Sequence, residues 1–419
     1  MQRERVAVVG GGVSGLTAAY LLRRSHDVTL FEREARLGGH AHTHEVCVGG
    51  QTLPVDSGFI VLNDRTYPLL GRLLDELRVA LRATEMSMGI ACRGCGLEYV
   101  GGRGAVGLFA QRRRMADPQF WTLLLSVRRF QRLALRHLET DPESLESYAE
   151  FLERHEFGTH FVRHYALPIV SCVWSSGHRD SLDYPAAYLF AFLSHHGFLS
   201  IGNAPQWYVV SGGSRAYVDR LADRLTDIQI NRTVAAVTRR RDGVTLDLAD
   251  GGRRDFDQVV IATHADEALS LLTDPSPAEC DVLGAFRYST NATSLHGDDS
   301  VLPTRRKSRA SWNFRLDACD SEPEAVQVSY WMNRLQHHPD AHPLIVTLNA
   351  GAAVDSRAVI AKMSYTHPLF TGASVAAQRR LVELNDDRTA YAGAYHGWGF
   401  HEDGCRAGVA AAQHFGSSW

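Results

Sequence analysis

The chain has 419 residues, of which 45% are hydrophobic and 22% charged, and its formal net charge is −3. This length is too great for one hydrophobic core, so we expect two or three domains of an ordinary soluble globular protein. The near-neutral charge gives no reason to expect a nucleic-acid partner, and no apolar run reaches the length of about 18 residues that predicts a membrane span.

The cysteines are odd in number and scattered along the chain, which argues against a disulfide framework and for reduced thiols in a cytosol. We expect no signal peptide, because the first apolar run starts about five residues from the N-terminus. A cytoplasmic location is therefore predicted. The cysteines are Cys47, Cys92, Cys95, Cys172, Cys280, Cys319 and Cys405.

The first forty residues predict a strand, a glycine turn and a helix. The apolar run Val6 to Val9 is typical of a strand buried on both faces, and a helix is expected from Val13 to Arg24. The glycines between them form G-x-G-x-x-G, and Glu32 follows about 22 residues later, the spacing at which a carboxylate meets an adenosine ribose. The predicted nucleotide site comprises Gly10, Gly12, Val13, Ser14, Gly15, Glu32 and Arg33.

Two short motifs suggest metal binding but do not establish it. His40, His42 and His44 alternate on one strand face, and no fourth ligand lies near them in sequence. Cys92-Arg-Gly-Cys95 is a single C-x-x-C without a second pair. We interpret the two cysteines as structural residues at a hairpin turn and predict no metal site.

The middle of the chain predicts two insertions between segments of the nucleotide-binding domain. Residues from about 105 to 200 are mostly helical in pattern, with an arginine stripe at Arg128, Arg129, Arg132 and Arg136. This stripe is either the solvated face of a cap, which we favour, or a contact with an anionic membrane. The chain then returns through an expected strand, Ile228 to Val237, and a parallel strand, Gln258 to Ala262.

The second insertion, from about 275 to 370, predicts an antiparallel sheet rich in aromatic residues. Trp312 and Tyr330 lie in expected strands there. Aromatic residues on such a sheet either hold a flat or long apolar substrate or form ordinary sheet core. The sequence leaves both interpretations open.

The segment after Glu32 resembles the flavoenzymes of the amine oxidase and phytoene desaturase superfamily. Arg36-Leu-Gly-Gly matches their R-x-G-G-R signature, with His40 in place of the second arginine and Thr43 in register. Val55-Asp-Ser-Gly-Phe-Ile60 is similar to the segment that passes the flavin ring. The resemblance implies that the cofactor is FAD and adds to its site Gly38, Gly39, His40, Thr43, Gly58, Phe59, Ile60, Val234 and Ala262.

The C-terminal segment is similar to the last FAD strand and helix of that superfamily. Gly393 lies in the strand, and Ala394 replaces the acid that usually binds the ribityl chain. The helix after Gly399 should point its N-terminus at the flavin, with His401 donating its backbone N–H and Glu402 and Asp403 capping the helix or reaching the ribityl hydroxyls.

The resemblance implies an α/β (α+β overall) fold, a Rossmann-type FAD-binding domain interrupted twice. Residues 1–80, 205–272 and 375–419 form that discontinuous domain, 81–204 a mostly helical cap, and 273–374 an antiparallel-sheet substrate-binding region. The whole chain is similar to a bacterial subfamily of NAD/FAD-binding amine-oxidase-like proteins, with Asn63-Asp-Arg-Thr-Tyr67 and Phe400-His-Glu-Asp-Gly404 among its markers.

The function implied is a FAD-dependent oxidoreductase that abstracts hydride from a small or lipid-like apolar substrate, in a desaturation or oxidation. Oxygen or another protein would accept the electrons, because no second dinucleotide motif exists for NAD(P)H. Alternatives are a flavin-dependent double-bond isomerase, an amine oxidase and a non-enzymatic flavoprotein that binds lipid on its basic cap. Candidate residues for catalysis or substrate contact are Phe400, His396, Trp312, Tyr330 and Trp174.

Overall fold

The computed structural model describes residues 3–200, 202, 204–321 and 325–419. The strands are β1 (Arg5–Val9), β2 (Asp27–Phe31), β3 (Thr43–Val48), β4 (Gln51–Asp56), β5 (Leu62–Asn63), β6 (Leu81–Thr84), β7 (Met88–Cys92), β8 (Leu97–Gly101), β9 (Trp207–Val210), β10 (Asp227–Gln229), β11 (Val234–Arg240), β12 (Gly243–Leu248), β13 (Arg253–Phe256), β14 (Gln258–Ile261), β15 (Arg287–His296), β16 (Trp312–Leu316), β17 (Val328–Trp331), β18 (Ile345–Leu348), β19 (Val359–Leu369) and β20 (Thr389–Tyr391).

Helices flank these strands and form most of the segment between β8 and β9. They are α1 (Val13–Leu22), α2 (Pro68–Glu76), α3 (Gly104–Leu108), α4 (Pro118–Thr140), α5 (Tyr148–Arg154), α6 (Thr159–Phe161), α7 (Leu167–Trp174), α8 (His178–Leu182), α9 (Ala186–His195), α10 (Arg215–Ala222), α11 (Ala265–Leu271), α12 (Pro277–Leu283), α13 (Met332–Leu335), α14 (Gly372–Gln378) and α15 (His401–His414).

A parallel sheet in the order β10-β2-β1-β14-β20 forms the centre of the nucleotide-binding domain. Val6 to Val9 of β1 pair with β2 on one side and β14 on the other, and Val6 and Val8 have no exposed surface. Helices α1, α2, α10 and α15 cover one face, and the β11-β12-β13 sheet covers the other. Both faces are buried, as the apolar run predicted.

The predicted strand from Ile228 to Val237 is wrong, because the structure divides it into β10 and β11. Asn231 between them has φ +53°, a left-handed conformation that ends the strand. β10 completes the parallel sheet, whereas β11 pairs antiparallel with β12. Helix α1 is also shorter than expected and ends at Leu22.

A mixed sheet in the order β19-β15-β18-β17-β16-β7-β8 forms the second large layer. Its members are antiparallel except where β16 lies parallel to β7. The hairpin β7–β8 precedes the helical segment in sequence, so residues 88–101 belong to this sheet although we predicted them within the cap. The division into three domains therefore stays a prediction, and residues 88–101 move from the cap to the sheet region.

The cap, residues 104–195, is helical as predicted and packs on this sheet through a shared aromatic core. Phe130 of α4 has no exposed surface and contacts Phe151 and Phe190 edge-on. The four arginines of the α4 stripe are exposed, as both a solvated face and a membrane-contacting face require. Among the described residues, none of the helices combines the length and apolar character needed to cross a membrane.

Candidate functional site

One cavity of about 860 Å³ runs from the glycine turn after β1 to the inner surface of the cap. We call the part near β1 the nucleotide end; it is lined by Val9 to Ser14, Phe31 to Glu34, and Arg232 to Ala235. We call the opposite part the aromatic chamber; it is lined by Cys172 to Ser175, Phe192, His196, Phe198, Trp207, Trp312, Tyr330 and Phe400.

Backbone hydrogen bonds hold the glycine turn at the nucleotide end in place. Gly10 N–H donates to Phe31 O at 2.8 Å, and Gly38 N–H donates to Gly11 O at 2.8 Å. A Cβ on Gly15 would lie 1.9 Å from Gly10 O, so only glycine lets α1 pack this close to the turn. The first and second glycine motifs therefore form one structure.

Glu32 is a buried carboxylate at the edge of this turn. It accepts hydrogen bonds from Gly11 N–H at 2.7 Å and Glu34 N–H at 2.8 Å. Each carboxylate oxygen still has lone pairs free for a ligand. Glu32 lines the cavity beside Arg33, which is the arrangement expected for a ribose contact.

The nucleotide end fits a dinucleotide cofactor. A Cβ on Gly12 would meet nothing within 4 Å, so the backbone there borders open cavity space, as a pyrophosphate requires. The Nε2 atoms of His40 and His401 are buried without a hydrogen-bond partner, and both rings line the cavity. Buried polar atoms without partners are costly, so these two nitrogens are available to a polar ligand.

Four histidines in the cavity are held neutral by burial. Burial lowers the pKa of His401 to about 3 and the pKa of His367 to about 4. It also lowers the pKa of His264, and that of His40 well below its usual value. The ring of His40 lies 5.1 Å from Tyr365 and 5.5 Å from His367, centroid to centroid. His40 can therefore serve as a hydrogen-bonding group at neutral pH but does not supply the charge of an arginine.

Asp56 connects the segment near the flavin site to α10. Its carboxylate accepts hydrogen bonds from Thr43 Oγ1 at 2.6 Å, Ser214 N–H at 2.9 Å and Gln336 Nε2 at 2.8 Å. Burial raises its pKa to about 6 despite these donors. Thr43 does not line the cavity, and in this structure it positions β3 and α10 through Asp56.

Helix α15 begins at the cavity, and its N-terminal partial positive charge faces the space between the two ends. Phe400 precedes the helix, and Asp403 caps it by accepting from Phe400 N–H at 3.0 Å. Glu402 accepts from Leu69 and Leu70 N–H at 3.0 and 2.9 Å and so caps α2 instead. His401 stacks on Phe59 with ring centroids 3.7 Å apart.

The aromatic chamber is formed where the cap meets the mixed sheet. Trp312 and Tyr330 lie on the neighbouring strands β16 and β17 with their rings perpendicular and 5.3 Å apart. Phe192 of α9 stacks on Phe400 at 4.9 Å, and Trp174 Nε1 donates to Trp398 O at 2.9 Å. The cap is thereby fixed to the loop that leads into α15.

Most of the predicted cofactor residues line the cavity. They are Gly10, Gly12, Val13, Ser14, Glu32, Arg33, Gly38, Gly39, His40, Gly58, Phe59, Ile60, Val234, Ala262, Gly393 and His401. Among the candidates for catalysis or substrate contact, Phe400, Trp312, Tyr330 and Trp174 line it too. Gly15, Thr43, Glu402, Asp403 and His396 are not in the lining; His396 is half-buried beside Tyr395, with ring centroids 4.7 Å apart.

Several lining residues were missed by the sequence analysis. Tyr365 and His367 reach the cavity from β19, Phe192 from α9, and His196 from the position that follows α9. Lys362, one of the two lysines of the chain, lies exposed on its lining. Alternation along β19 marks its residues as half-buried, but only the packing of distant elements brings them to the cavity.

Comparison with known proteins identifies the family. The profile of the flavin containing amine oxidoreductases matches residues 13–360, so the chain belongs to this family and its cofactor is FAD. A curated relative, coproporphyrinogen III oxidase of Mycobacterium leprae (strain TN), is 27% identical over 295 residues. That match covers 66% of this chain, and the chain spans only 63% of the relative's length.

Solved structures share the fold over nearly the whole chain. A CLA-producing fatty acid isomerase from P. acnes superposes with a TM-score of 0.71 at 16% identity, covering 99% of each chain. Cyclohexylamine oxidase from Brevibacterium oxydans IH-35A superposes with a TM-score of 0.69 at 17% identity, covering 99% of this chain and 98% of that one. At these identities the likeness establishes the fold and confirms the predicted fold class.

Proposed function

We propose that this flavin-containing amine oxidoreductase family member removes a hydride from a carbon of a small or lipid-like apolar substrate bound in the aromatic chamber. The observation that carries the proposal is the continuity of the cavity. One space connects a site that fits FAD to a chamber walled by tryptophan, tyrosine and phenylalanine. Such walls favour apolar ligands. FAD, when bound, supplies the hydride-accepting ring.

The residues of the chamber are suited to hold and orient a substrate rather than to ionise it. The carboxylates of the cavity lining, Glu32, Glu34 and Glu267, do not belong to the chamber. Burial raises the pKa of Tyr330 far above neutrality, so its hydroxyl stays protonated and can only donate to or accept from a bound polar group. Trp312 lies edge-on to it and offers a flat apolar surface.

His196 is a poor candidate for a general base. Its Nδ1 donates to Phe192 O at 3.0 Å, which leaves Nε2 to accept from Thr66 Oγ1 at 3.1 Å. Burial lowers the pKa of His196 to about 4. Both nitrogens are therefore engaged, so the proton that accompanies oxidation would leave to solvent or to the acceptor rather than to this ring.

A positive helix end supports the proposed role of α15. Its N-terminus carries roughly half a positive charge. The two carboxylates of its first turn are engaged by other groups, Glu402 by the backbone N–H groups of Leu69 and Leu70 and Asp403 by Arg406. A field of this sign stabilises negative charge that develops in the adjacent cavity, and Phe400 keeps water from that position by packing on Phe192. These features favour hydride transfer out of the chamber.

Double-bond isomerisation is the second candidate. The same apolar chamber, without a carboxylate base, suits a reaction in which hydride leaves one carbon and returns to another, and the fatty acid isomerase from P. acnes shares the fold. Amine oxidation, as in cyclohexylamine oxidase, is a third possibility that the same assay addresses. Oxygen or another protein is the acceptor that we propose for net oxidation.

Product mass distinguishes these functions. FAD-loaded enzyme should be incubated under air with unsaturated fatty acids, apolar amines and coproporphyrinogen III, and the products analysed by mass spectrometry. A fatty acid should give a product that has lost two hydrogens, an amine the imine or the carbonyl compound formed when that imine hydrolyses, and coproporphyrinogen III a product that has lost two hydrogens for each oxidation step, in each case above an enzyme-free control. A rearranged product of unchanged mass would support isomerisation, and no turnover of any substrate class by enzyme with full FAD content would argue against the proposal.

A further inference from the structure

Three cysteines and one histidine converge at a site outside the cavity. The ligand atoms of Cys92, Cys95, His164 and Cys319 all lie within 4.8 Å of one another. They come from the β7–β8 hairpin, from the turn between α6 and α7, and from the loop after β16. None of these four residues lines the cavity, so the FAD site does not explain their convergence.

Three of the separations between the four ligand atoms are close to those of a tetrahedral zinc site. Cys92 Sγ lies 3.6 Å from Cys319 Sγ, and His164 Nε2 lies 3.5 Å from Cys95 Sγ and 3.9 Å from Cys319 Sγ. A zinc ion bonded to sulfur at about 2.3 Å and to nitrogen at about 2.0 Å separates its ligands by about 3.8 Å (S–S) and about 3.5 Å (S–N). The four side chains need little rearrangement to meet these values.

The hairpin turn is shaped to present two sulfurs to one side. Gly96 follows Cys95 with φ +63°, a left-handed conformation that favours glycine. Gly94 lets the opposite loop approach, since a Cβ there would lie 2.9 Å from Cys319 N.

His164 is oriented by its own helix. Its Nδ1 donates to His160 O at 2.9 Å, which fixes the tautomer and leaves the Nε2 lone pair directed at the sulfurs. The residue lies in a single π-helical turn, Val162–Ala166, a local widening that often marks a functional position. A backbone acceptor behind a ligating imidazole is the common support of a zinc-bound histidine.

We propose that Cys92, Cys95, Cys319 and His164 bind one structural Zn²⁺ ion. Three sulfurs and one imidazole are ligands that zinc prefers, and four protein ligands leave no open position for substrate. On binding, the three thiols release their protons to solvent and no electron is transferred. The Arg114 guanidinium donates to Cys95 O at 3.1 Å and offsets part of the net negative charge of the bound site.

The ion would join the cap to the mixed sheet. His164 immediately precedes α7, whose residues Cys172 to Trp174 form a wall of the aromatic chamber. The three cysteines belong to the sheet side of the same interface. Zinc at this position would therefore hold one wall of the chamber in place from outside, without contact with substrate or FAD. The C-x-x-C motif alone predicted no metal site, so zinc bound here would correct that expectation.

Metal content of the purified FAD-bound protein is the first test. Cells should be grown with added zinc, and metals measured by mass spectrometry in the wild type, in Cys319→Ser and in Cys280→Ser, whose cysteine is exposed and lies outside the cluster. We expect about one zinc per chain in the wild type and in Cys280→Ser, and at least a tenfold loss in Cys319→Ser. Wild-type protein with no more zinc than Cys319→Ser would overturn the proposal.

Two measurements on the wild type cover the case in which Cys319→Ser does not fold. Cobalt substitution should give the thiolate-to-metal charge-transfer bands and the intense visible bands of a tetrahedral site. Thiol titration of the native protein should release zinc together with the three cluster thiols. Weak, octahedral-type cobalt bands, or a Cys92–Cys319 disulfide found by peptide mapping without reduction, would contradict the zinc site.

Discussion

The two ends of the cavity are built in different ways. The nucleotide end is backbone and glycine, and its main contacts join residues close in sequence, such as Gly11 and Glu32. The aromatic chamber consists of side-chain surface, and its contacts join elements far apart in sequence, such as Trp174 with the loop before α15 and Phe192 with Phe400. A change at the nucleotide end should therefore alter FAD binding, whereas a change in the chamber should alter turnover alone.

The largest effect is expected at Gly15. Gly15→Val would place a Cβ 1.9 Å from Gly10 O, so α1 must move away from the turn. We expect complete loss of bound FAD and a lower Tm, measured by flavin absorbance and differential scanning calorimetry. The matched control is Gly71→Ala in α2, where a Cβ meets nothing within 4 Å; it should keep its FAD and gain slightly in stability. A Gly15→Val protein with full FAD content would contradict this packing.

The second-largest effect is expected from acid, which should destabilise the histidine-lined part of the cavity. The pKa of His367 is about 4 in the folded protein against 6.5 as the ordinary value. Because the unfolded chain binds the proton first, the stability that this group contributes is complete above pH 6.5 and falls as the pH decreases to about 4. The slope is up to about 1.4 kcal/mol per pH unit for each such histidine.

Denaturant unfolding of the apoprotein across this pH range measures the effect. His367→Gln should flatten the slope, since the glutamine does not titrate, while exposed His414→Gln should leave it unchanged. Equal slopes for His367→Gln and the wild type would show that this histidine is not held neutral by burial.

Glu32→Gln tests the ribose contact. Hydrogen bonds to a charged group contribute about 1.5–3 kcal/mol, so we expect FAD affinity to fall about 10- to 100-fold with little change in the turnover of FAD-saturated enzyme. Isothermal titration with FAD measures this. Exposed Glu139→Gln on α4 serves as the control, and an unchanged Kd in Glu32→Gln would remove Glu32 from the FAD site.

A smaller effect, confined to turnover, is expected from Trp312→Leu. The substitution removes the flat surface beside Tyr330 while the nucleotide end is untouched. With the substrate identified by product mass, we expect kcat/KM to fall about tenfold, roughly 1.4 kcal/mol in transition-state binding, at constant FAD content. Trp121→Phe on the outer face of α4, where the indole is 46% exposed, should change neither quantity. Loss of FAD in Trp312→Leu would contradict the claim that changes in the aromatic chamber leave FAD binding unaltered.

The difference between the nucleotide end and the aromatic chamber also explains which site residues the sequence could predict. The glycine turn and Glu32 follow from a motif in which spacing fixes the geometry, whereas His40 and the helix at His401 were placed by the resemblance to the flavoenzyme superfamily. Trp312 and Tyr330 were predicted as candidates for substrate contact, with ordinary sheet core left open as the alternative. Phe192, His196, Tyr365 and His367 were missed, because their approach to the cavity depends on strand register and on how the cap packs.

The cysteine cluster shows the same limit. Cys92 and Cys95 were visible as a pair, but their partners are single residues; His164 and Cys319 are themselves 155 positions apart. A search for a second C-x-x-C could not find them, since the fold rather than the sequence spacing brings them together.

Anaerobic mixing of the FAD-loaded enzyme with its substrate tests the central claim most directly. If the chamber delivers hydride for net oxidation, the visible absorbance of the oxidised flavin should disappear in proportion to substrate added and return on admission of oxygen. Complete conversion of excess substrate without an acceptor, while the flavin stays oxidised, would contradict net oxidation.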